Sequence, residues 1–365
     1  MQKKIRLAII FGGQSAEHEI SILSARSIFQ ALDRNKYEPV LVGIGKTGKW
    51  YLGENSTFLL QDSNPKHARL QDTQNELCLV PGKPHEPLLV PKASLAKEID
   101  VAFPVLHGPL GEDGTVQGML KLAGIPFVGV SVLGSAVCMD KDVTKRLLAE
   151  AGLPVCRYLM FRKSDQQKIR YNDIETKLGS PFFVKPCNLG SSVGVSKVRN
   201  AQEFDKAIAD AFKYDRKIII EEFVKGRELE VSVLGNENPE TSDVGEIIPS
   251  HDFYSYESKY IDEKGAALVI PAKISDAQKQ EIKSLAAKAF TVLECEGMAR
   301  CDFFMTESGK LYINELNTIP GFTKISMYAK LWESAGLPYE NLIDKLVQLA
   351  LKRDAEEKQT RQFYL

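Results

Sequence analysis

Two stretches of the chain carry residue types suited to phosphate and metal chemistry. In KPCNLGSSVG, residues 185–194, a lysine closes the apolar run Pro181-Phe182-Phe183-Val184 and leads into a loop of Gly190, Ser191, Ser192 and Gly194. Lysine is seldom fully buried, and a Gly-Ser loop offers unencumbered N–H groups and hydroxyls that suit a phosphate. The order is the reverse of a P-loop, in which the lysine follows the glycines and a helix begins at once. Here the alternation of Val193 to Val198 predicts another strand, and a helix starts only at Asn200, with Glu203 placed for a capping box. The pattern describes a strand–loop–strand phosphate cover. An ordinary hairpin with a surface lysine would show the same residues.

The second stretch spans 300–317. Arg300-Cys301-Asp302-Phe303-Phe304-Met305 and Leu311-Tyr312-Ile313-Asn314-Glu315-Leu316-Asn317 flank Glu307 to Lys310, a loop of hairpin length. That register sets Asp302 opposite Glu315 and Arg300 opposite Asn317, and alternation puts all four on one face. Like charges directly opposite in a sheet are destabilising, so the pairing suggests a hard cation. Oxygen ligands of this kind suit Mg²⁺, which takes one or two carboxylates plus substrate phosphates. A solvated polar hairpin is the alternative, and a slip of one residue would break the alignment. Together the two stretches describe an ATP site without a P-loop. Between them, Ile219 to Glu228 reads as a strand that breaks and restarts. Its backbone could pair with an adenine edge and Glu228 could hold ribose hydroxyls, although ordinary strand and turn would read alike.

The elements that must position these residues change character along the chain. Ile5–Phe11 reads as a buried strand followed by Gly12-Gly13 and a helix capped near Ser15; Glu17 falls in its first turn. Strands follow at Tyr37–Gly43, Val101–Leu106 and Ile125–Val130, with a helix at Val116–Ala123. Residues 54–95 read as irregular. Alternating strands and helices argue for a parallel sheet with covered faces. This part ends near Ala136, where a helix around Asp140–Ala151 leads into a region of antiparallel signals from Val155 onward, closed by an amphipathic helix at Leu342–Leu351. His107 ends a strand of the first part, where ligands bind in α/β sheets.

Composition narrows the classes. The chain has 365 residues, 44% hydrophobic and 26% charged, with a formal net charge of −1, which suggests two or three domains of about 100–200 residues each. Near-neutral charge gives no electrostatic reason to expect nucleic acid as a partner. No apolar run approaches the roughly 20 residues of a membrane span, and the N-terminal apolar stretch is too short for a signal peptide. Six scattered cysteines without metal spacing read as reduced packing residues of a cytoplasmic protein.

Eight motifs in one order then resemble a known family: FGGQSAEHEIS (11–21), HGPLGEDGTVQG (107–118), MDKDVTK (139–145), KPCNLGSSVG (185–194), EEFVKGRELE (221–230), YSYESKY (254–260), MARCDFF (298–304) and NELNTIPGFTKISMY (314–328). Nearly end to end, the chain resembles the D-alanine–D-alanine ligases of the ATP-grasp superfamily. Cys187 and Cys301 depart from the expected alanine or valine. The resemblance implies an α/β (overall α+β) architecture: an N-terminal parallel-sheet α/β domain over 1–137, then an ATP-grasp fold over 138–365, divided into 138–216 and 217–365. It implies ATP and two Mg²⁺ ions (Mn²⁺ substituting), two D-alanine substrates, an acyl-phosphate intermediate and a homodimer. By the same resemblance Lys141, Lys185 and Ser192 would meet ATP phosphates, Glu221 and Val224 the adenine, and Glu228 the ribose. Asp302, Glu315 and Asn317 would bind metal. Glu17 would hold the ammonium of the first D-alanine beside His107, Arg300 would stabilise the oxyanion, and Gly321, Ser326 and Met327 would flank the second D-alanine. A lid, His251–Ala267, would bring Lys259 to the transferred phosphate and Tyr260 to Ser191 and Glu17. Two other classes are weighed: a dinucleotide-dependent oxidoreductase, for which a full GxGxxG is missing, and a non-catalytic nucleotide sensor, against which the metal set and Arg300 argue.

Overall fold

The structure, a computed structural model, describes residues 3–53, 76–81, 88–90, 95–249 and 266–360. The first layer is a sheet in the order β3-β2-β1-β7, formed by β1 (Ile5–Gly12), β2 (Tyr37–Ile44), β3 (Trp50–Gly53) and β7 (Val101–Val105). β1 runs parallel to both β2 and β7, and β3 is antiparallel to β2. Both faces of β1 are buried, as a central parallel strand requires. Leu7, Ile9 and Phe11 face α1 (His18–Ala31), while Ala8 and Ile10 join a separate core with α2 (Thr115–Leu122). The expected irregular stretch 54–95 carries, in its described parts, β4 (Cys78–Leu79), β5 (Leu88–Val90) and, running just past it, β6 (Leu95–Lys97), which pair into a small sheet.

The expected strand at 125–130 does not form. It amounts to one bridge, Ala102 to Phe127, because Pro126 has no N–H to extend the ladder and Gly129 turns away at φ +96°. Helix α3 (Val132–Met139) then spans the anticipated boundary and was not expected. Asp140 ends it and caps α4 (Lys141–Glu150), accepting from the N–H groups of Asp142 and Val143.

The second sheet, in the order β10-β9-β11-β8, is antiparallel and comprises β8 (Tyr158–Arg162), β9 (Phe182–Pro186), β10 (Ser196–Val198) and β11 (Lys217–Glu222). α5 (Tyr171–Leu178) and α6 (Ala201–Tyr214) cover it around Phe182, Phe204 and Phe212. β10 starts later than the alternation suggested. Val193 and Val195 make turn bonds to Gly190 and Ser192 instead, so the glycine-serine loop runs on to residue 195. Asn200 caps α6 as expected, but Glu203 reaches back to the N–H of Arg199, one residue beyond a capping box.

The third sheet, β14-β13-β12-β15-β16, is built from β12 (Gly226–Gly235), β13 (Glu240–Pro249), β14 (Ala266–Val269), β15 (Gly297–Thr306) and β16 (Leu311–Asn317). Leu229, Val231 and Val233 pack beneath it with α7 (Asp276–Val292), so strand alternation turns Glu228 and Glu230 to the opposite face. The core does not follow chain order. α8 (Met327–Ser334) and α9 (Tyr339–Gln359) return to the first sheet, where Tyr328, Trp332, Tyr339 and Leu346 pack with Leu7, Ile9 and Phe103. All six cysteines are free thiols, five of them buried; Cys78 is exposed and is not the packing residue expected. Among the described residues, no helix is long and apolar enough to cross a membrane.

Candidate active site

Two cavities border the third sheet and share a wall, one against the second sheet and the other against α1 and the loop after β7. One, of about 410 Å³, is lined by Lys141, Lys185, Ser192, Glu221, Val224 and Phe183, among others. The other, of about 350 Å³, is lined by Glu17, His107, Arg300, Asp302, Asn317 and the segment 319–327. Ser191, Glu228, Asn314 and Glu315 border both.

The lysine that closes β9 is not a surface lysine. Lys185 Nζ lies 2.6 Å from Glu221 Oε2 on the neighbouring β11, and Lys145 Nζ, from α4, lies 3.1 Å from Glu221 Oε1. Burial alone would raise the Glu221 carboxyl; the two ammonium groups outweigh it and hold the carboxyl at about 2. In turn, burial would lower both lysines, and the Glu221 charge reverses this and raises them. Glu221 was expected at the adenine, yet its side chain is already committed to two lysines. Lys145 was missed: the 139–145 motif contains it, but helical periodicity marks nothing special about one lysine. Lys145 also reaches Cys156 Sγ at 3.4 Å.

The glycine-serine loop is held in an unusual backbone conformation. Ser191 and Ser192 have φ of +51° and +59°, a left-handed conformation that costs a non-glycine residue roughly 1 kcal/mol or more. Ser191 Oγ donates to Glu17 Oε1, tying the loop to α1. Glu17 stands at the helix N-cap, one position before the first turn that was expected.

The wall between the cavities is the β15–β16 hairpin. Asp302 pairs with Glu315 and Arg300 with Asn317, as the spacing predicted. The register is reached through a bulge: below it Phe303 pairs with Ile313, so Asn314 is the extra residue and, like Glu315, lines both cavities. Lys141 Nζ sits 3.2 Å from Glu315 and donates to Leu189 O at 2.7 Å. Arg300 forks Asp302 through Nε and Nη2 at 2.7 and 2.8 Å, and its Nε lies 2.9 Å from Glu230, a carboxylate directly opposite Asp302 on β12. Glu230 was not singled out in the sequence. Among the described residues, no three His, Cys, Asp or Glu side chains converge to hold a metal unaided. Two opposed carboxylates and the Asn317 amide, 2.9 Å from Asp302, fit a hard cation completed by phosphate oxygens and water.

At the far end, His107 is buried and both ring nitrogens face protein: Nδ1 contacts Ile319 O at 2.9 Å and Nε2 contacts Ser24 Oγ at 3.4 Å. Burial lowers its basicity, while the Glu17 charge pulls the other way. Glu112 also lines this cavity; burial and the Glu17 charge raise its carboxyl to about 8, against two backbone donors. Gly321 lies beside Ser326, which stands at the N-cap position of α8 and whose Oγ accepts from Thr323 N at 3.0 Å instead of from the helix. Met327 packs with Ile247 and Leu331 at the cavity edge. Lys259, Tyr260 and most of the expected lid lie outside the described residues.

Opposed antiparallel sheets around a lysine-lined cavity, with carboxylates facing across a hairpin, define an ATP-grasp enzyme. The description "D-ala D-ala ligase N-terminus" matches residues 6–130, and "D-ala D-ala ligase C-terminus" matches 147–348. A D-alanine–D-alanine ligase of Oceanobacillus iheyensis is 48% identical over 362 residues, covering 99% of this chain and 98% of the relative. D-alanine–D-alanine ligase A of Escherichia coli is 48% identical over 97% of this chain and 98% of its own length. The solved D-alanine–D-alanine ligase of Coxiella burnetii superposes with a TM-score of 0.86 at 37% identity, covering 98% of this chain and 96% of that one. A D-Ala:D-Ser ligase of Enterococcus faecalis gives 0.84 at 36%, covering 95% of this chain and all of that one. The chain belongs to the D-alanine–D-alanine ligase family.

Proposed function

We propose that the two-cavity site joins two D-alanine molecules into D-alanyl-D-alanine, a peptidoglycan precursor, with conversion of ATP to ADP and phosphate. The observation that carries this is the shared wall. A lysine-lined compartment of about 410 Å³ and a second compartment of about 350 Å³ meet at Ser191, Glu228, Asn314 and Glu315, where a phosphoryl group can pass between them.

In the first compartment Lys141, Lys185 and Ser192 hold phosphates, Glu221 and Val224 border the adenine, and Glu228 holds the ribose. In the second, Glu17 receives the ammonium of the first D-alanine beside His107. Its carboxylate oxygen attacks the γ-phosphorus, the bond to the β-phosphate oxygen breaks, and an acyl phosphate and ADP result. The free amine of the second D-alanine then adds to the acyl carbon, Arg300 stabilises the oxyanion, and phosphate leaves as the amine loses a proton. Ser326, at the N-terminus of α8, receives the second carboxylate where helix N–H groups favour an anion; Gly321 and Met327 flank it. Asp302, Glu315 and Asn317 would hold two Mg²⁺, or Mn²⁺ in their place, and such ions would supply charge neutralisation for the phosphoryl group. Lys259 and Tyr260, outside the described residues, are assigned to the transferred phosphate and to Ser191 and Glu17, where they would help keep water from the acyl phosphate. We further assign residues 1–137 to a substrate domain and 138–216 and 217–365 to the two halves of the grasp. The enzyme is taken as a cytoplasmic homodimer with no nucleic-acid or membrane partner.

Product analysis with ATP, Mg²⁺ and a panel of amino and hydroxy acids tests this reading. The expected outcome is D-alanyl-D-alanine with one phosphate released per dipeptide. Phosphate release indifferent to D-alanine would overturn it.

A further inference from the structure

The segment after β16 is gripped by side chains that lie more than 200 residues earlier in the chain. Ile319 donates its N–H to Glu112 Oε1 at 3.3 Å, and its carbonyl meets His107 Nδ1 at 2.9 Å. Three residues on, Phe322 donates its N–H to Ser24 Oγ at 3.2 Å, and Ser24 Oγ lies 3.4 Å from His107 Nε2. A carbonyl can only accept, so Nδ1 carries the proton and the neutral ring accepts at Nε2. The bonds therefore run in one direction: Phe322 N–H to Ser24, the Ser24 hydroxyl to Nε2, and Nδ1–H to Ile319 O. Glu112 closes the far side, its other oxygen accepting from Gly108 N at 2.6 Å. Its carboxyl group thus joins the loop after β7 to the loop after β16.

We propose that Ser24, His107 and Glu112 form a directional clasp that sets the position of the segment 317–326, and with it the pocket for the second amino acid. This rests on the reading of that segment as the second-substrate site. The Phe322 ring, packed against Phe103 and Tyr339 at centroid distances of 5.4 and 5.6 Å, anchors the segment without direction. The hydrogen bonds supply the direction, because each fixes one peptide group against the wall that also carries Glu17. Ser24 and Glu112 are then positioning residues of the ligation step.

Initial rates over a grid of ATP and D-alanine concentrations separate the two D-alanine requirements and test the clasp. Ser24→Ala and Glu112→Gln each raise the weaker D-alanine KM about three- to tenfold, the scale of one hydrogen bond, and leave the ATP KM within about twofold. His107→Asn, which keeps a donor near the place of Nδ1 and nothing at Nε2, matches Ser24→Ala. The double variant Ser24→Ala/His107→Asn costs no more than the larger single, since both break one link; independent structural losses would add. An unchanged second KM, a parallel rise in both D-alanine and ATP KM, or additive losses overturns the clasp. Glu112→Gln carries the test alone if Ser24→Ala fails to fold. A wild type that makes no dipeptide refutes the proposed function instead, whereas a wild type that ligates beside indifferent variants refutes only the clasp.

Discussion

Replacing Lys145 with methionine removes one of two cations that keep Glu221 ionised in the interior. The side chains of Lys145 and Glu221 are only 1% and 3% exposed, so solvent screening does little to weaken the pair. A carboxyl held at about 2 where it ordinarily titrates near 4.5 stores roughly 3 kcal/mol of favourable interaction. Breaking a buried pair by removing one partner costs about 3–5 kcal/mol, and the lower end applies because Lys185 still faces Glu221. The folded value lies below the unfolded one. This contribution is therefore fully present above about pH 4.5 and is lost as pH falls towards 2. In Lys145→Met only Lys185 opposes burial, Glu221 titrates higher, and the window of acid loss below about pH 4.5 narrows. Urea unfolding at pH 7.5 and pH 5, followed by tryptophan fluorescence, should show a loss of about 3 kcal/mol at pH 7.5 and one no larger at pH 5, because protonation of Glu221 in the folded variant relieves the uncompensated charge. Lys145→Met/Glu221→Gln should recover at least about 1 kcal/mol, since no uncompensated buried carboxylate remains. A loss under about 1 kcal/mol in Lys145→Met, or a double variant worse than the single, would refute the reasoning.

Two further outcomes follow from the site and a third from the family resemblance. Glu315→Gln, which removes a carboxylate opposite Asp302 and the partner of Lys141, should abolish ligation with the far-ultraviolet circular dichroism unchanged; turnover above about a tenth of wild type, a barrier change under ~1.4 kcal/mol, sinks the metal assignment. Lys185→Ala should weaken binding of a non-hydrolysable ATP analogue strongly and D-alanine affinity little, measured by titration calorimetry; unchanged nucleotide affinity contradicts the phosphate role. Tyr260→Phe should shift product from D-alanyl-D-alanine towards the D-lactate ester several-fold in mixed-substrate assays. One hydrogen bond is worth about 0.5–1.5 kcal/mol, and the shift should grow at low pH as the competing amine is protonated. Identical product ratios from pH 6 to 9 would place selectivity elsewhere, around Ser326 and Met327.

Legibility in the sequence followed sequence separation. The carboxylate-bearing face was readable because Arg300, Asp302, Glu315 and Asn317 lie on one hairpin, where a period of two and a short loop nearly dictate which side chains meet. The bulge at Asn314 was not readable, and it is what brings Asp302 opposite Glu315 from a hairpin end that starts one residue out of step. The glycine-serine loop and the Asn200 cap were likewise local signals. By contrast, the Lys145–Glu221–Lys185 cluster draws on α4, β9 and β11. The Glu230–Arg300 contact crosses between β12 and β15. The Ser24–His107–Glu112 grip on Ile319 and Phe322 spans most of the chain. So does the return of α8 and α9 to the first sheet. Such contacts leave no periodic trace, because a buried lysine or carboxylate is tolerated only where a distant partner offsets its desolvation. The sequence by itself determined the chemistry available and the local faces that carry it; the tertiary structure alone decided which charges face each other in the interior and which backbone groups hold the two compartments in register.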